Sequence, residues 1–500
     1  MNVTTAVATF ESGSAAERTR RLVLTLSTMM AILLYAIDMT VANVALPVLQ
    51  GNLAATREQA AWVLTSYLIA SASALPALAA VEARLGLRRS FMIAVLGFGI
   101  SSVLCGLAPN VESLVLARFL QGMFGAGLLP LGQTALQSVY PPQHLSRAFA
   151  LLGMGVMVGP ILGPSVGGWL TEEFGWRAVF YINLPFVVIA LIGLSLTLRG
   201  NADPAPRPFD RLGFVLLALT IVPLQLALDR GQQLDWFESA EIVIEVAVGL
   251  IAAWMFAVHV RTTRTPLFTP VLGANRNLMI SIGMSLLVGW PFMGGMVLLP
   301  QFLQEVQGYS VVSAGLLLAP RGVGLMFGMM LVGRVGGKVD PRLIFSVGCV
   351  LLSSGLFALS FAPSDAPAAW LTGWLMWQGV GLGFVFVPLN TLGFATLDPR
   401  LRTEAAALLT LSRNLGSSIG IAVLVSRVTH DASFNVQRLL EAAHFTPQLA
   451  DGATLAWFID ELRRESLVLS YSNQHVFLCV LPLVILPIVW LTSRPRFAAA

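Results

Sequence analysis

Residues 155–168 read GVMVGPILGPSVGG. Gly155, Gly159, Gly163 and Gly167 recur every fourth residue, Gly168 follows the last, and Pro160 and Pro164 each follow one of the middle two. On a helix, positions four apart share a face, so these glycines form a slowly drifting stripe without side chains. In a water-soluble helix such a stretch is penalised by about 1 kcal/mol per glycine and ~3 kcal/mol per proline. In lipid, neighbouring helices re-satisfy the freed backbone groups, and small residues let two backbones approach closely. The stripe reads either as a generic GxxxG packing seam or as the hinge and seal between two halves of a transporter.

Composition selects the membrane. Apolar residues make up 56% of the chain and charged residues 11%, with a mean hydropathy of +0.78; soluble domains carry roughly 25% charge. The chain is expected to be an all-α polytopic membrane protein. Fourteen runs approach the ~20 apolar residues a bilayer span requires: 22–46, 60–81, 90–108, 112–134, 147–170, 178–198, 212–229, 241–259, 277–303, 311–333, 343–361, 368–391, 404–425 and 475–493. The alternative is twelve spans, with the seventh and eighth runs lying on the surface. The first run is too long for a signal peptide's apolar region and is taken as an uncleaved span.

Basic residues orient these spans. With the N-terminus inside, twenty of the thirty Lys and Arg residues fall in inner loops and seven in outer loops, while Arg118, Arg321 and Arg413 fall within spans. This bias predicts cytoplasmic termini, in the inner membrane of the cell. The formal charge of +4 follows from that topology. No basic patch interleaved with aromatics stands outside the spans, so nucleic acid is excluded as a partner. Cys105, Cys349 and Cys479 are scattered and predict neither a disulfide framework nor a metal site.

The second span ends in Ala79–Arg89 (AAVEARLGLRR) and the tenth in Gly333–Arg342 (GRVGGKVDPR), two tight basic turns at corresponding places. This repetition predicts two six-helix bundles, 22–198 and 277–493, with two extra spans inserted in a linker, 199–276. Short cytoplasmic tails, 1–21 and 494–500, complete the division. The one large outer segment, 426–474, has helix-like spacing over 431–443 and 454–470, which predicts two short amphipathic helices.

Several further stretches carry a resemblance. They are Asp38–Pro47 (DMTVANVALP), Arg118–Gly122 (RFLQG) and Trp176–Pro185 (WRAVFYINLP). With the glycine stripe, they resemble the motifs of the fourteen-span drug:proton antiporter family of the major facilitator superfamily, the EmrB/QacA type and nearest to EmrB. The resemblance covers most of 25–200 and continues more weakly to about 425. It implies the major facilitator fold, multidrug efflux by proton antiport with consequent antibiotic resistance, and an antiporter motif at Gly155–Gly168. It also implies a cytoplasmic gating loop at Glu82, Arg84, Gly86, Arg88 and Arg89. That loop departs from the family pattern, with Ala79 at the usual leading Gly, Ala83 at the usual Asp, and Glu82 one place earlier. A periplasmic membrane-fusion adaptor and an outer-membrane channel are implied partners; segment 426–474 either docks the adaptor or simply caps the cavity.

Chemistry concentrates on one acid. Among twenty-six acidic residues only Asp38 sits well inside a predicted span, where a carboxylate is normally paired, protonated or facing a polar cavity. From the outer end, Asp38 and Arg118 lie about 12 and 9 Å deep at 1.5 Å per residue. The two therefore form either a proton-coupling pair, with Asp38 as carrier, or a fixed structural ion pair. Arg118, Gln121, Gly122, Gly125, Gly132 and Gln133 share one helical face, and Tyr35 lies one turn before Asp38. A substrate pathway is expected among Tyr35, Gln121, Gly125 and Gln133, with Gln378 and Asn390 as partners unless these are merely buried and satisfied. Arg321 and Arg413 either bond carbonyls freed near Pro320 or face the pathway. In the second case the cavity would favour neutral compounds and lipophilic weak acids over permanent cations.

No phosphate-binding loop, metalloprotease motif or nucleophile elbow appears. An enzyme is not expected, nor a cofactor. The substrates expected are lipophilic small molecules and protons, with lipid as the surrounding solvent. The alternatives are a proton-coupled exporter or symporter of a specific metabolite and a non-transporting membrane scaffold or sensor.

Overall fold

The computed structural model describes residues 15–141, 144–199, 209–443 and 452–493. The expected tails (1–14 and 494–500), most of the proline-rich joint (200–208) and the tip of the outer segment (444–451) lie outside the described residues. All regular structure among the described residues is helical. In hydrocarbon a spanning helix satisfies its backbone polar groups within itself.

The N-terminal half comprises α1 (Ala15–Asn52), α2 (Arg57–Ala74), α3 (Leu78–Leu107), α4 (Val111–Gly125), α5 (Leu128–Val139), α6 (Leu145–Phe174), α7 (Ala178–Tyr181) and α8 (Asn183–Thr197). Two inserted helices follow, α9 (Arg211–Arg230) and α10 (Ala240–Thr262), then a short α11 (Val271–Ala274). The C-terminal half comprises α12 (Arg276–Gln301), α13 (Val311–Val335), α14 (Pro341–Leu359), α15 (Ala368–Phe394), α16 (Arg402–Ala443) and α17 (Gly452–Val489).

Among the described residues, twelve helices are long and apolar enough to cross a membrane. One of them, 62–107, runs through two of the predicted spans, which meet at a sharp turn where Gly86 adopts φ +78°. The glycine-rich α6, 30 residues long, carries the predicted fifth span. The observed helices are compatible with the fourteen-span reading. The inserted pair is long enough to cross, with 20 and 23 residues, or about 30 and 35 Å. Arg230 pairs with Glu241 and Glu245 at one end of this pair, and His259 with Asp210 at 2.9 Å at the other.

Two expectations require correction. The outer segment is not a pair of separate short helices. Residues 426–443 prolong the 42-residue α16 and residues 452–474 open the 38-residue α17, with no Gly or Pro between 421 and 443 to interrupt the first. The two prolongations are joined by Asn435 Nδ2 donating to Ser470 Oγ (3.2 Å) and Gln474 Nε2 to Asp431 Oδ2 (3.0 Å).

The glycine stripe, for its part, is not the seam between the halves. A Cβ on Gly159 would collide with the Ala36 carbonyl, one on Gly163 would lie 2.6 Å from Thr40 Cβ, and one on Gly167 2.9 Å from Val41 Cγ1. The stripe is thus a groove that seats α1 within its own half, and Thr40 Oγ1 donates across it to the Gly159 carbonyl at 3.1 Å. The halves instead meet at the start of α6. There Gly153 faces Met329, Ala150 faces Gly333 and Ser146 faces Gly336, on the side bearing the basic loops. Hydrogen bonds between the halves cluster on the same side, from Gln133 to Asn390 (3.3 Å), between Thr134 and Thr403 (3.1 Å), and from Arg402 to the Gln137 carbonyl (2.9 Å).

Overpacking a close helix contact costs about 1–3 kcal/mol. Gly159→Val should therefore lower the unfolding midpoint of the detergent-solubilised protein. Gly168→Ala, whose added Cβ meets nothing within 4 Å, should leave it unchanged or raised. Equal effects of the two substitutions in thermal unfolding would refute the groove.

Candidate functional site

The α1 groove fixes the height and rotation of Asp38. Opposite it, α4 starts at an Asn110–Ser113 capping box, in which each side chain accepts from the other residue's backbone N–H. The cap sets the first turn of α4, and two turns later Arg118 points at α1. Its Nη1 donates to Asp38 Oδ2 at 2.6 Å and to Gln121 Oε1 at 2.7 Å, and its Nε donates to the Val63 carbonyl at 3.2 Å. The guanidinium carbon stands 4.5 Å from the Tyr67 ring centroid and 5.7 Å from that of Phe180.

The other carboxylate oxygen, Asp38 Oδ1, accepts from Gln121 Nε2 (2.9 Å) and from Asn183 Nδ2 (3.2 Å). Ser102 Oγ accepts from the same two amides at 3.2 and 2.9 Å and donates to the Phe180 carbonyl at 2.8 Å. Asp38 is 1% exposed, and Arg118, Gln121, Asn183 and Ser102 are 0% exposed. Three donors from α4 and α8 therefore converge on one carboxylate with no contact to solvent. Every partner donates, which suits the ionised form; a proton arriving on Asp38 would require at least one of these donors to turn away.

Other predicted site residues fall into different places. Gln121 is fully engaged with Asp38, Arg118 and Ser102 and lines no pathway in this conformation. Gly125 admits Tyr67, whose Oη would lie 2.8 Å from an added Cβ. Gln133 and Asn390 bond each other across the seam. Tyr35 packs against Tyr67 with ring centroids 6.5 Å apart. Arg413 lies 5.2 Å over the Phe386 ring, 8% exposed, within electrostatic reach of Tyr35 in the other half. Arg321 bonds carbonyls, though those of Pro291 and Phe292 on α12, not ones freed by Pro320. Gln378 is buried with neither amide atom hydrogen-bonded, so it is not a satisfied core glutamine.

In the basic turn, Gly86 supplies the left-handed backbone. Arg88 donates to the Ser195 carbonyl at 2.8 Å, and Arg84 lies 5.8 Å over Phe209. Glu82 stands close enough to Glu404 of the other half for the two carboxylates to repel, and Arg89 is exposed.

Sequence reasoning missed Asn183, Ser102, Tyr67 and the Val63 carbonyl as members of the site. Asn183 had a signal, a lone amide in an apolar run within the quoted Trp176–Pro185 stretch. Ser102, one of two adjacent serines, had none. Among the described residues, no group of three or more His, Cys, Asp or Glu side chains is arranged to hold a metal.

Comparison with known proteins agrees with this architecture. The sequence is 33% identical over 485 residues to the fatty acid resistance protein FarB of Neisseria gonorrhoeae, covering 94% of this chain and 96% of that one. It is 31% identical over 500 residues to the multidrug export protein EmrB of Escherichia coli K12, covering 97% of each. Among solved structures it resembles the proton:xylose symporter XylE, with a TM-score of 0.57 at 17% identity over 93% of this chain and 95% of that one. It also resembles the human organic anion transporter MFSD10, with a TM-score of 0.58 at 12% identity over 95% and 100%; at such identities these two likenesses show the fold alone. A family model described as the Major Facilitator Superfamily matches residues 28–421, and the chain belongs to that superfamily.

Proposed function

We propose that the protein is a proton-coupled exporter of lipophilic small molecules, with Asp38 as proton carrier and Arg118, Gln121 and Asn183 as the groups that sense its charge. The observation that carries this reading is the convergence of three donors on one buried carboxylate. Loss of its charge releases α4 and α8 from α1, while restoration draws them back. The side bearing the basic loops is cytoplasmic, as are both termini, and the membrane is the inner membrane of the cell. The neutral hydrogen bonds between the halves form the cytoplasmic gate.

For the substrate, the names of the relatives point to fatty acids and to several drugs. Arg413, beside Phe386 and within reach of Tyr35, offers a cation and two aromatic faces at the seam. Such a surface favours neutral compounds and lipophilic weak acids, because a permanent cation would meet Arg413 unscreened. The prolonged helices of 426–474 carry exposed Phe434 (54%) and Trp457 (65%), a surface suited to a periplasmic adaptor that passes substrate to an outer-membrane channel.

Three outcomes test these assignments. Asp38→Asn should reduce proton-driven efflux in inverted vesicles by roughly 5- to 150-fold, the span of ordinary coupling free energies, while retaining substrate binding and a cooperative unfolding transition. Undiminished pH-driven efflux in that variant would remove Asp38 as carrier. Arg413→Gln should depress export of a lipophilic acid more than that of a neutral dye; an equal loss of both would exclude Arg413 from substrate choice. Replacing 438–460 by a short linker should lower whole-cell resistance while vesicle transport persists, and loss of both together would argue against adaptor docking.

A further inference from the structure

Three consecutive residues at the start of α16 are held by two different parts of the chain. Arg402 donates to the Gln137 carbonyl at 2.9 Å and Thr403 bonds Thr134 at 3.1 Å, both partners lying on α5 of the N-terminal half. The next residue, Glu404, is 8% exposed and is engaged instead by the segment that follows the inserted pair. Thr269 N–H donates to its Oε2 at 2.9 Å and Thr269 Oγ1 to its Oε1 at 3.0 Å. One residue thus engages both oxygens of the carboxylate. An acidic side chain in the first turn of α16 also suits the helix dipole there.

Thr269 is anchored in turn. Leu267 and Phe268, just before it, pack into an apolar cluster that includes Ala72 of α2, Ile221 of α9 and Leu411 of α16. The Leu267 N–H donates to Asp210 Oδ2 at 3.1 Å. Asp210 is the N-cap of α9, where its Oδ1 accepts from the Gly213 N–H at 2.8 Å. A Cβ on Gly213 would lie 2.2 Å from Asp210 Oδ2, so a glycine at that position lets the carboxylate sit where it does. His259, near the end of α10, donates from Nε2 to the same carboxylate at 2.9 Å.

Asp210, with its side chain 6% exposed, therefore gathers the start of α9, the end of α10 and the returning segment onto one group. Its neighbour Phe209 lies beneath Arg84 of the basic turn, with the guanidinium carbon 5.8 Å from the ring centroid. On the side of the basic loops, a continuous chain of contacts runs from the N-terminal half through Asp210 to the start of α16.

We propose that residues 263–270, buckled by Asp210, form a strap that holds the basic-loop side of the seam closed, with Asp210, Thr269 and Glu404 as its positioning residues. Parting α16 from α5 carries Glu404 away from the N-terminal half, while Leu267 remains tied to Asp210. The two residues from Leu267 to Thr269 reach at most about 7 Å when fully extended, so the strap has little slack. Opening the seam accordingly pulls on the two bonds to Glu404. Hydrogen bonds to a charged group are stronger than the neutral ones that join the halves directly, and the strap supplies closure that the seam's own bonds do not. It acts on closure alone, so it is independent of Asp38 and of the direction of transport.

The test uses the full-length protein in detergent, spin-labelled on His144→Cys and Arg400→Cys. Both positions are exposed, one in each half on the basic-loop side, and the three native cysteines are buried. Double electron–electron resonance reads the distance distribution, and thermal unfolding is followed on the same samples. In the otherwise wild-type background a short distance should dominate over a minor long one. Glu404→Gln and Asp210→Asn should each raise the long-to-short ratio roughly tenfold, as loss of one hydrogen bond to a charged group implies, with cooperative unfolding retained. Gly213→Ala, which displaces the Asp210 carboxylate without removing its charge, should move the ratio in the same direction. His259→Gln, whose amide donates to Asp210 in place of the ring, should restore the wild-type ratio that His259→Leu loses. If Asp210→Asn does not fold, Thr269→Val, which removes only the hydroxyl bond to Glu404, should give a smaller shift of the same sign. A lowered unfolding midpoint with an unmoved ratio would reduce Asp210 and Glu404 to structural ties and overturn the strap. A single distance in wild type and variants alike would do so equally.

Discussion

A charge pair sealed inside a lipid-solvated bundle constrains most of the N-terminal half. Moving a carboxylate-sized ion from water to a medium of low dielectric costs on the order of 20 kcal/mol in the idealised limit, and several kcal/mol after relaxation. Asp38 and Arg118 withstand that cost because the opposite charges meet at 2.6 Å and the remaining polar atoms find partners on three helices. Each partner needs its own support. The glycine groove of α6 holds α1 at the right height, the Asn110 cap begins α4 in the right register, and Ser102 orients both amides. Removing one charge strands the other, at about 3–5 kcal/mol.

The seam between the halves is built from different material. Its contacts are Gly against Met or Ala and Phe149 stacked on Phe394, and its hydrogen bonds join mostly neutral groups, Gln133 to Asn390 and Thr134 to Thr403. Neutral hydrogen bonds contribute a net ~0.5–1.5 kcal/mol each, and those near a bundle's end can exchange with water. The polar ties of the seam are thus individually weak, whereas the sealed ion pair is not.

Much of this was legible in the sequence. Composition and run length disclosed the spans, and the lone acid at depth disclosed its counter-ion three spans on. The glycine stripe announced a close approach, but periodicity names a face and never the helix that meets it; α1 fills the groove that a reading in terms of two halves gave to the seam. Gln121 looked like a pathway residue because helical phase put it beside Arg118. Phase cannot reveal that Ser102 and Asn183, from two other helices, close around it. The unbroken α16 was readable in principle, since nothing between 421 and 443 interrupts a helix. Hydropathy drops near 425, but the helix continues to Ala443.

The inserted pair shows how extra spans join such a machine without jamming it. The ion pairs shown for α9 and α10 stay within the pair and its flanking turn, Arg230 with Glu241 and Glu245 at one end and Asp210 with His259 at the other. Asp210 also accepts from the Gly213 and Leu267 backbone amides, which ties the outgoing linker to the start of α9. Toward the two halves the pair presents mainly apolar surface, Leu217 and Ile221 against Ala72, Leu75 and Leu411. Apolar contact is non-directional, so α2 and α16 can shift beneath the pair without breaking a defined bond. The directional ties stand at opposite ends, Arg230 over Trp62 of the N-terminal half at 5.8 Å and Glu404 of the C-terminal half accepting from Thr269 at 2.9 Å. The pair is thus tied at one end to the N-terminal half and, through the segment that follows α10, at the other to the C-terminal half.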